Sequence, residues 1–239
     1  MFADLHCHLL WGIDDGAKTP DDTLEMARAL VQLGFDAVAP SPHARPEYPG
    51  EQPVAVRRDE VQALLTSEGI PLQLYAGAEH LFDEHFMLAA ASDARRSING
   101  KKYILVEAPY VGSIPGFAEL CFRLKVKGIT PVIAHPERCA QFEQKGQAAE
   151  AARVGAALQL DVGALVGRYG KLPRKLALQF LEQDLYAIAA TDLHSPLGAM
   201  DWVGRSLREL EREVGKRGVQ RLLDSNPHHM LAGEELELP

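Results

Sequence analysis

Short apolar runs alternate along this chain with longer stretches whose apolar residues recur at helical spacing. Seven runs have the length and composition of strands: Phe2–His6, Asp36–Pro40, Pro71–Ala76, Tyr103–Val106, Thr130–Ala134, Ala157–Asp161 and Leu185–Ala190. Several are almost continuously apolar, as parallel strands buried on both faces must be. The stretches between them predict helices. Thr19-Pro20-Asp21-Asp22 places a capping hydroxyl, a proline at the first helical position and two acids in the first turn. Leu24, Ala27 and Val31 follow at helical spacing before Gly34 stops the helix. Comparable helices are expected near 54–68, 116–127, 144–154, 173–183 and 198–216. This alternation predicts a parallel α/β fold without a linker to divide it, and a barrel is the leading architecture.

The polar exceptions fall where the runs end. The first closes on His6-Cys7-His8, the second on Ser41-Pro42-His43 and the third on Gly77-Ala78-Glu79. The fourth closes on Glu107, the fifth on His135-Pro136-Glu137-Arg138 and the seventh on Thr191-Asp192-Leu193-His194. Six of seven runs therefore end in a side chain able to bind a metal, at the end where α/β barrels carry their chemistry. In an extended strand His6 and His8 project to one side and Cys7 to the other. The same holds for Asp192 and His194 if the strand continues through them.

A histidine alone at a strand end is commonly a structural hydrogen-bonding residue, and a single His-x-His pair is a weak sign of metal. Six coincident strand ends outweigh that reading. Imidazoles and carboxylates buried together without a compensating cation are costly. One of Asp14 and Asp15 is expected to join the cluster, although Asp14-Asp15-Gly16 is also a good turn. His80, His85, His228 and His229 lack strand-end placement and are expected at the surface or in packing. Cys7 is expected to pack beneath the cluster and Cys121 to lie on a helix.

Composition narrows the partners. The 239 residues are 46% apolar and 24% charged, with a formal net charge of −8. That balance disfavours nucleic acid or an anionic membrane as the main partner, while bound cations leave room for one phosphate. No apolar run approaches the roughly 20 residues needed to span a bilayer, and Met1–His8 carries no secretory signal pattern. Cys7, Cys121 and Cys139 form an odd, widely spaced set, which fits free thiols in a cytoplasmic protein. None opens a Cys-x5-Arg phosphate loop, because the residues six beyond them are Ile13, Lys127 and Lys145. A Walker loop and a Gly-x-Ser-x-Gly elbow are absent as well.

The segments His6-Cys7-His8, Gly12-Ile13-Asp14-Asp15-Gly16-Ala17-Lys18, Ile129-Thr130-Pro131-Val132-Ile133-Ala134-His135-Pro136-Glu137-Arg138 and Thr191-Asp192-Leu193-His194 together resemble the PHP (polymerase and histidinol phosphatase) superfamily. Within it they are most similar to the bacterial manganese-dependent protein-tyrosine phosphatases encoded with capsule and exopolysaccharide genes. The resemblance runs in order as far as Asn226-Pro227. It implies a single PHP-type metallophosphatase domain over residues 1–239, folded as a distorted seven-stranded TIM-like (β/α)7 barrel. It also implies three divalent metal ions; manganese is expected, and the N/O ligand set suits iron or zinc too.

Position by position, the resemblance implies that His6, His8, Glu107 and Asp192 hold one metal. Glu107 would bridge to a second, which His135 also binds. Asp15, His43, Glu79 and His194 would complete the coordination in a division that stays open. Asp15 matches the family ligand better than Asp14, and Arg138 corresponds to a phosphate-clamping arginine. The implied partner is a phosphotyrosine protein, the Tyr-rich tail of an autophosphorylating bacterial kinase, with no role for nucleic acid or membrane insertion. Tyr48 and the Arg45–Glu51 loop either help to recognise such a tail or form an ordinary solvated loop.

The chain departs from the family pattern in three places. An arginine common just after the Asp-x-His motif is missing from Ser195–Ala199, which leaves Arg45, Arg168 and Arg205 as candidates for a second phosphate contact. Ala44 stands where a further histidine is common, and Asp161 where asparagine is commoner. Two other readings stay open. One is a PHP phosphatase acting on a small molecule such as histidinol phosphate; the other is a weakly active metal-binding regulator.

Overall fold

The computed structural model describes residues 1–90 and 96–237, and within them the apolar runs become short parallel strands. In chain order these are β1 (Phe2–Asp4), β2 (Phe35–Val38), β3 (Gln73–Leu74), β4 (Glu79–Leu81), β5 (Tyr103–Glu107), β6 (Thr130–Ala134), β7 (Ala157–Asp161) and β8 (Ile188–Ala190). The helices are α1 (Pro20–Gln32), α2 (Glu51–Ser67), α3 (Glu84–Ala90), α4 (Phe117–Val126), α5 (Gln147–Arg153), α6 (Lys171–Glu182), α7 (Ala199–Gln220) and α8 (Asn226–Ala232). Every position of β5, β6 and β7 is buried, as their unbroken apolar character requires.

The strands are divided between two sheets, β1-β2-β3 and β4-β5-β6-β7-β8, so the described residues form eight strands rather than one closed seven-stranded ladder. The break lies in the third strand region. Gln73–Leu74 pairs with β2, and Glu79–Leu81 pairs with β5. Between them the backbone at Gly77 presses on the end of β2, where an added Cβ would lie 2.6 Å from the Pro40 carbonyl oxygen. Single parallel bridges, Cys7–Leu193 and His43–Glu79, join the two sheets.

Helix starts follow the local chemistry. Thr19 and Asp22 cap α1 reciprocally: the Asp22 amide donates to Thr19 Oγ1 at 3.1 Å, and the Thr19 amide donates to Asp22 Oδ2 at 3.0 Å. The helix near 198–216 runs on to Gln220 across a kink at Gly215, where φ is +67°. α3 and α8, of 7 residues each, lie outside the stretches expected to be helical. The chain of the first run bends after Asp4, so His6 lies beyond β1.

Side chains alternate between two apolar clusters. Ile104, Val106, Ile133 and Leu158 face the helices, while Leu105, Val132, Ala134, Ala157 and Ile188 face one another with Ala3 and Ala37. Met230 and Leu231 of α8 join the inner cluster beside Tyr103. The site must therefore open at the other end, beyond the strand C-termini. Buried Asp4 ties the first and last strand regions together, accepting from Thr191 Oγ1 at 2.5 Å and from the His6 amide at 3.2 Å. Among the described residues no helix is long and apolar enough to cross a membrane.

Candidate metal centre

The two histidines after β1 are each oriented from behind. Buried Gln159 on β7 donates its amide to the Leu160 carbonyl at 2.6 Å, which turns its oxygen to His6 Nδ1 at 2.9 Å. His8 Nδ1 meets Asp14 Oδ2 at 2.7 Å. A ring that donates its Nδ1 proton backward to these oxygens would offer Nε2 to a metal as a lone pair. Asp14 also accepts from the Gly16 amide at 2.9 Å and from the His43 amide at 3.1 Å. Gly16 is obligatory, because an added Cβ would lie 2.2 Å from the His8 carbonyl oxygen.

Glu79, at the start of β4, sits at the middle of the cluster. Its Oε1 lies 3.1 Å from His135 Nε2 and 3.4 Å from His6 Nε2, and its Oε2 lies 2.9 Å from His43 Nδ1. Asp192 Oδ1 lies 3.1 Å from His6 Nε2 and 3.5 Å from His8 Nε2. Asp15 Oδ1 lies 3.3 Å from His43 Nε2 and 3.5 Å from His194 Nε2. His135 (φ +32°) and Asp192 (φ +51°) both adopt the left-handed conformation. Such backbone costs of order 1–3 kcal/mol and tends to collect at functional sites. The condition of a strand continuing through Asp192 to His194 is not met; the chain turns at Asp192, yet both side chains reach the cluster.

The donor atoms fall into sets that lie within 4.8 Å of one another: His8, Asp15, His43 and His194; His6, His135 and Asp192; His6, His8 and Glu79; and His43, Glu79 and Glu107. Glu107 thus groups with His43 and Glu79 rather than with His6. His6 Nε2, His8 Nε2, His43 Nδ1 and Asp192 Oδ1 are buried without an aligned hydrogen bond. Buried polar atoms without partners are costly. Mixed imidazole nitrogen and carboxylate oxygen is the donor chemistry of manganese, iron and zinc, so the residues fit divalent metals.

The electrostatics carry the same message. Burial alone would lift the Glu79 carboxyl, but His6, His135 and His43 hold it well below its ordinary value. Burial opposes charge on His8 and His43, yet their carboxylate partners push both up to about 9. Without a metal, protons on His8 and His43 answer the negative charge of Asp14 and Asp192 around the one and of Asp15 and Glu79 around the other.

Arg138 borders this cluster. It follows His135 in a single turn of 3-10 helix, Pro136–Arg138. Its Nη1 donates to Asp192 Oδ2 at 2.5 Å and Asp161 Oδ2 at 3.0 Å, and its Nη2 donates to Tyr110 Oη at 2.9 Å. The guanidinium also lies 4.1 Å over the Tyr169 ring. Glu137 points away from the cavity, with Oε1 accepting from the Asp161 amide at 2.9 Å and Oε2 2.8 Å from the Tyr186 hydroxyl.

Residues 2–232 match the sequence profile described as "Capsular polysaccharide synthesis, CpsB/CapC". The chain belongs to that family. It is 33% identical over 237 residues to the tyrosine-protein phosphatase YwqE of Bacillus subtilis, covering 98% of this chain and 92% of the relative. It is 23% identical to the tyrosine-protein phosphatase CpsB of Streptococcus pneumoniae, covering 95% of this chain and 97% of that one. A solved structure from work on YwqE of B. subtilis and CpsB of S. pneumoniae, described as unique metal-dependent tyrosine phosphatases, superposes with a TM-score of 0.92 at 30% identity. That match covers 99% of this chain and 97% of the other.

In this CpsB/CapC chain all nine expected ligand residues, His6, His8, Asp15, His43, Glu79, Glu107, His135, Asp192 and His194, converge in one cluster of overlapping donor sets, with Arg138 beside them. Asp14 supports His8 and is nearly buried at 1% side-chain exposure, whereas Asp15 is 56% exposed and faces His43 and His194. Of the candidate second arginines, Arg45 meets the Glu107 carboxylate, Arg168 stacks on Trp202 at 4.0 Å, and Arg205 pairs with Asp201 on α7. Tyr48 lies with its ring centroid 5.3 Å from that of His43. His80 is buried in packing, its Nε2 2.9 Å from the Arg96 carbonyl oxygen, and His85 is exposed. His228 and His229 lie on α8 at the opposite end.

Sequence reasoning missed Gln159 and Tyr110. Gln159 carried a signal, as a polar residue inside an otherwise apolar buried run. Tyr110 carried none.

Proposed function

We propose that this CpsB/CapC protein is a metal-dependent protein-tyrosine phosphatase of capsular or exopolysaccharide synthesis. The observation that carries the reading is the set of buried imidazole and carboxylate atoms, none with an aligned hydrogen bond, converging beside Arg138. The ligands are His6, His8, Asp15, His43, Glu79, Glu107, His135, Asp192 and His194, and the centre holds three divalent ions, manganese by preference. We read β3 and β4 as one interrupted strand of a distorted seven-stranded (β/α)7 barrel, and residues 1–239 as one domain of a cytoplasmic protein. The partner is the phosphotyrosine tail of a bacterial tyrosine kinase.

Bound metals would supply charge neutralisation and an activated water for in-line attack on phosphorus. The protein's own groups do the remaining work. Arg138, held flat by Tyr110 and Tyr169, presents a planar donor fork to nonbridging oxygens. Gln159 and Asp14 fix the tautomers of His6 and His8, so that the centre needs little reorganisation. A tyrosyl leaving group, with an ordinary pKa of about 10, departs with less help than an alkoxide.

The test is turnover of a phosphotyrosine peptide and of histidinol phosphate by manganese-loaded protein. Hydrolysis of the peptide, abolished by EDTA and restored by manganese, supports the reading. Strong preference for histidinol phosphate, or no turnover of either by fully loaded protein, would sink it.

A further inference from the structure

A phosphate monoester is a dianion with three nonbridging oxygens, yet Arg138 is already shared among Asp192, Asp161 and Tyr110. A second cation at the cavity would therefore matter, and Arg45 alone of the three candidates reaches it. Its Nη2 is in contact with Glu107 Oε1, a carboxylate belonging to the same donor set as His43 and Glu79. The side chain enters from the solvent side, 25% exposed, while Glu107 is 2% exposed. Its Nε is buried without a hydrogen-bond partner.

The loop that carries Arg45 is anchored on the centre. The neighbouring Ala44 amide donates to the Glu79 carbonyl at 2.7 Å, and the Tyr48 amide closes a turn onto the Arg45 carbonyl at 3.0 Å. Arg45 follows His43 by two residues in the segment between β2 and α2, whereas Arg138 follows β6 and contacts Asp192 beyond β8. The two guanidiniums thus contact different carboxylates of the cluster, Glu107 and Asp192.

We propose that Arg45 is a phosphate-binding residue of this site, engaging nonbridging oxygens that Arg138 does not reach. The proposal rests on the metallophosphatase reading above. With Glu107 committed to the centre, the Arg45 guanidinium turns its donors, the unpartnered Nε included, to the substrate's phosphoryl group. No bond is made or broken by it; its contribution is charge-assisted hydrogen bonding.

The test uses full-length, manganese-loaded protein, with inorganic phosphate as the probe. Phosphate binding is measured by calorimetry, alongside KM for a phosphotyrosine peptide and metal content. Arg45→Ala is expected to weaken phosphate binding and raise KM by about 10–100-fold, the scale of lost charged hydrogen bonds, with metal content unchanged. Arg45→Lys keeps the charge and is expected to recover part of the loss. Unchanged phosphate affinity in fully loaded Arg45→Ala overturns the proposal. So does lost metal with normal phosphate affinity at the remaining loaded sites, since Arg45 would then serve only Glu107. An inactive wild-type protein would count against the parent reading instead, because phosphate calorimetry on Arg45 variants does not depend on turnover.

Discussion

Asp14 and His8 meet at 2.7 Å, carboxylate oxygen to ring Nδ1, and this contact turns His8 Nε2 toward Glu79 and Asp192. The same carboxylate accepts from the His43 amide, so one side chain orients two ligands from outside their donor set.

Replacing Asp14 with alanine is therefore expected to lower metal affinity by about 10–100-fold, the usual effect of losing a partner behind a metal-bound histidine. Asparagine should lose less, because its amide oxygen still accepts. Chelator competition on the two variants reads this directly. Equal affinity in wild type and Asp14→Ala would show that His8 needs no such support.

Arg138→Lys separates charge from shape. Lysine keeps the charge but lacks the planar fork that reaches Asp161, Asp192 and Tyr110 together. We expect kcat/KM to fall by about 100-fold or more, with metal content intact. A loss below about 3-fold would mean that a point charge suffices.

The ligand positions were legible in the sequence because each apolar run advertises its own end. His6, His8, His43, Glu107 and His135 stand where an apolar segment gives way to polar residues, and strand geometry aims such positions at one mouth. The choice between Asp14 and Asp15 needed three dimensions, since adjacent aspartates differ only in which one the backbone buries. Glu79 was found beyond the third run, although the strand it opens was not. The break at Gly77 depends on contact with Pro40, some 37 positions earlier, and no local pattern reports it. The turn at Asp192 was hidden for the same reason: left-handed aspartate is sterically unfavourable, and the surrounding structure imposes it.

Glu137 gives the fold a dependence on pH. Burial, with Asp161 nearby, pushes its carboxyl up from the ordinary 4.5 to about 8. A raised acid holds its proton in the folded state while the unfolded chain releases it. Its contribution is fully present below 4.5 and is lost as pH rises toward 8, by at most about 1.4 kcal/mol per pH unit. Denaturant melts of wild type and Glu137→Gln between about pH 5 and 8 should diverge, with the wild type losing more stability. Parallel curves would place the proton elsewhere.

The cysteines should be bystanders. All three are buried; burial pushes Cys121 and Cys139 up to about 12 and lifts Cys7 well above its ordinary value. Thiolate is the reactive form, so iodoacetamide at neutral pH should leave phosphatase activity intact. Rapid, stoichiometric inactivation would point to a thiol in the reaction.

Metal binding by these imidazoles and carboxylates underlies every role assigned above. Anomalous diffraction at the manganese edge, from crystals of manganese-loaded protein active on phosphotyrosine, tests it most directly. Anomalous peaks are expected among His6, His8, Asp15, His43, Glu79, Glu107, His135, Asp192 and His194, with Arg138 beside them. Active, loaded crystals with no peak among these residues, or with their metal bound elsewhere, would rule out a metal centre here.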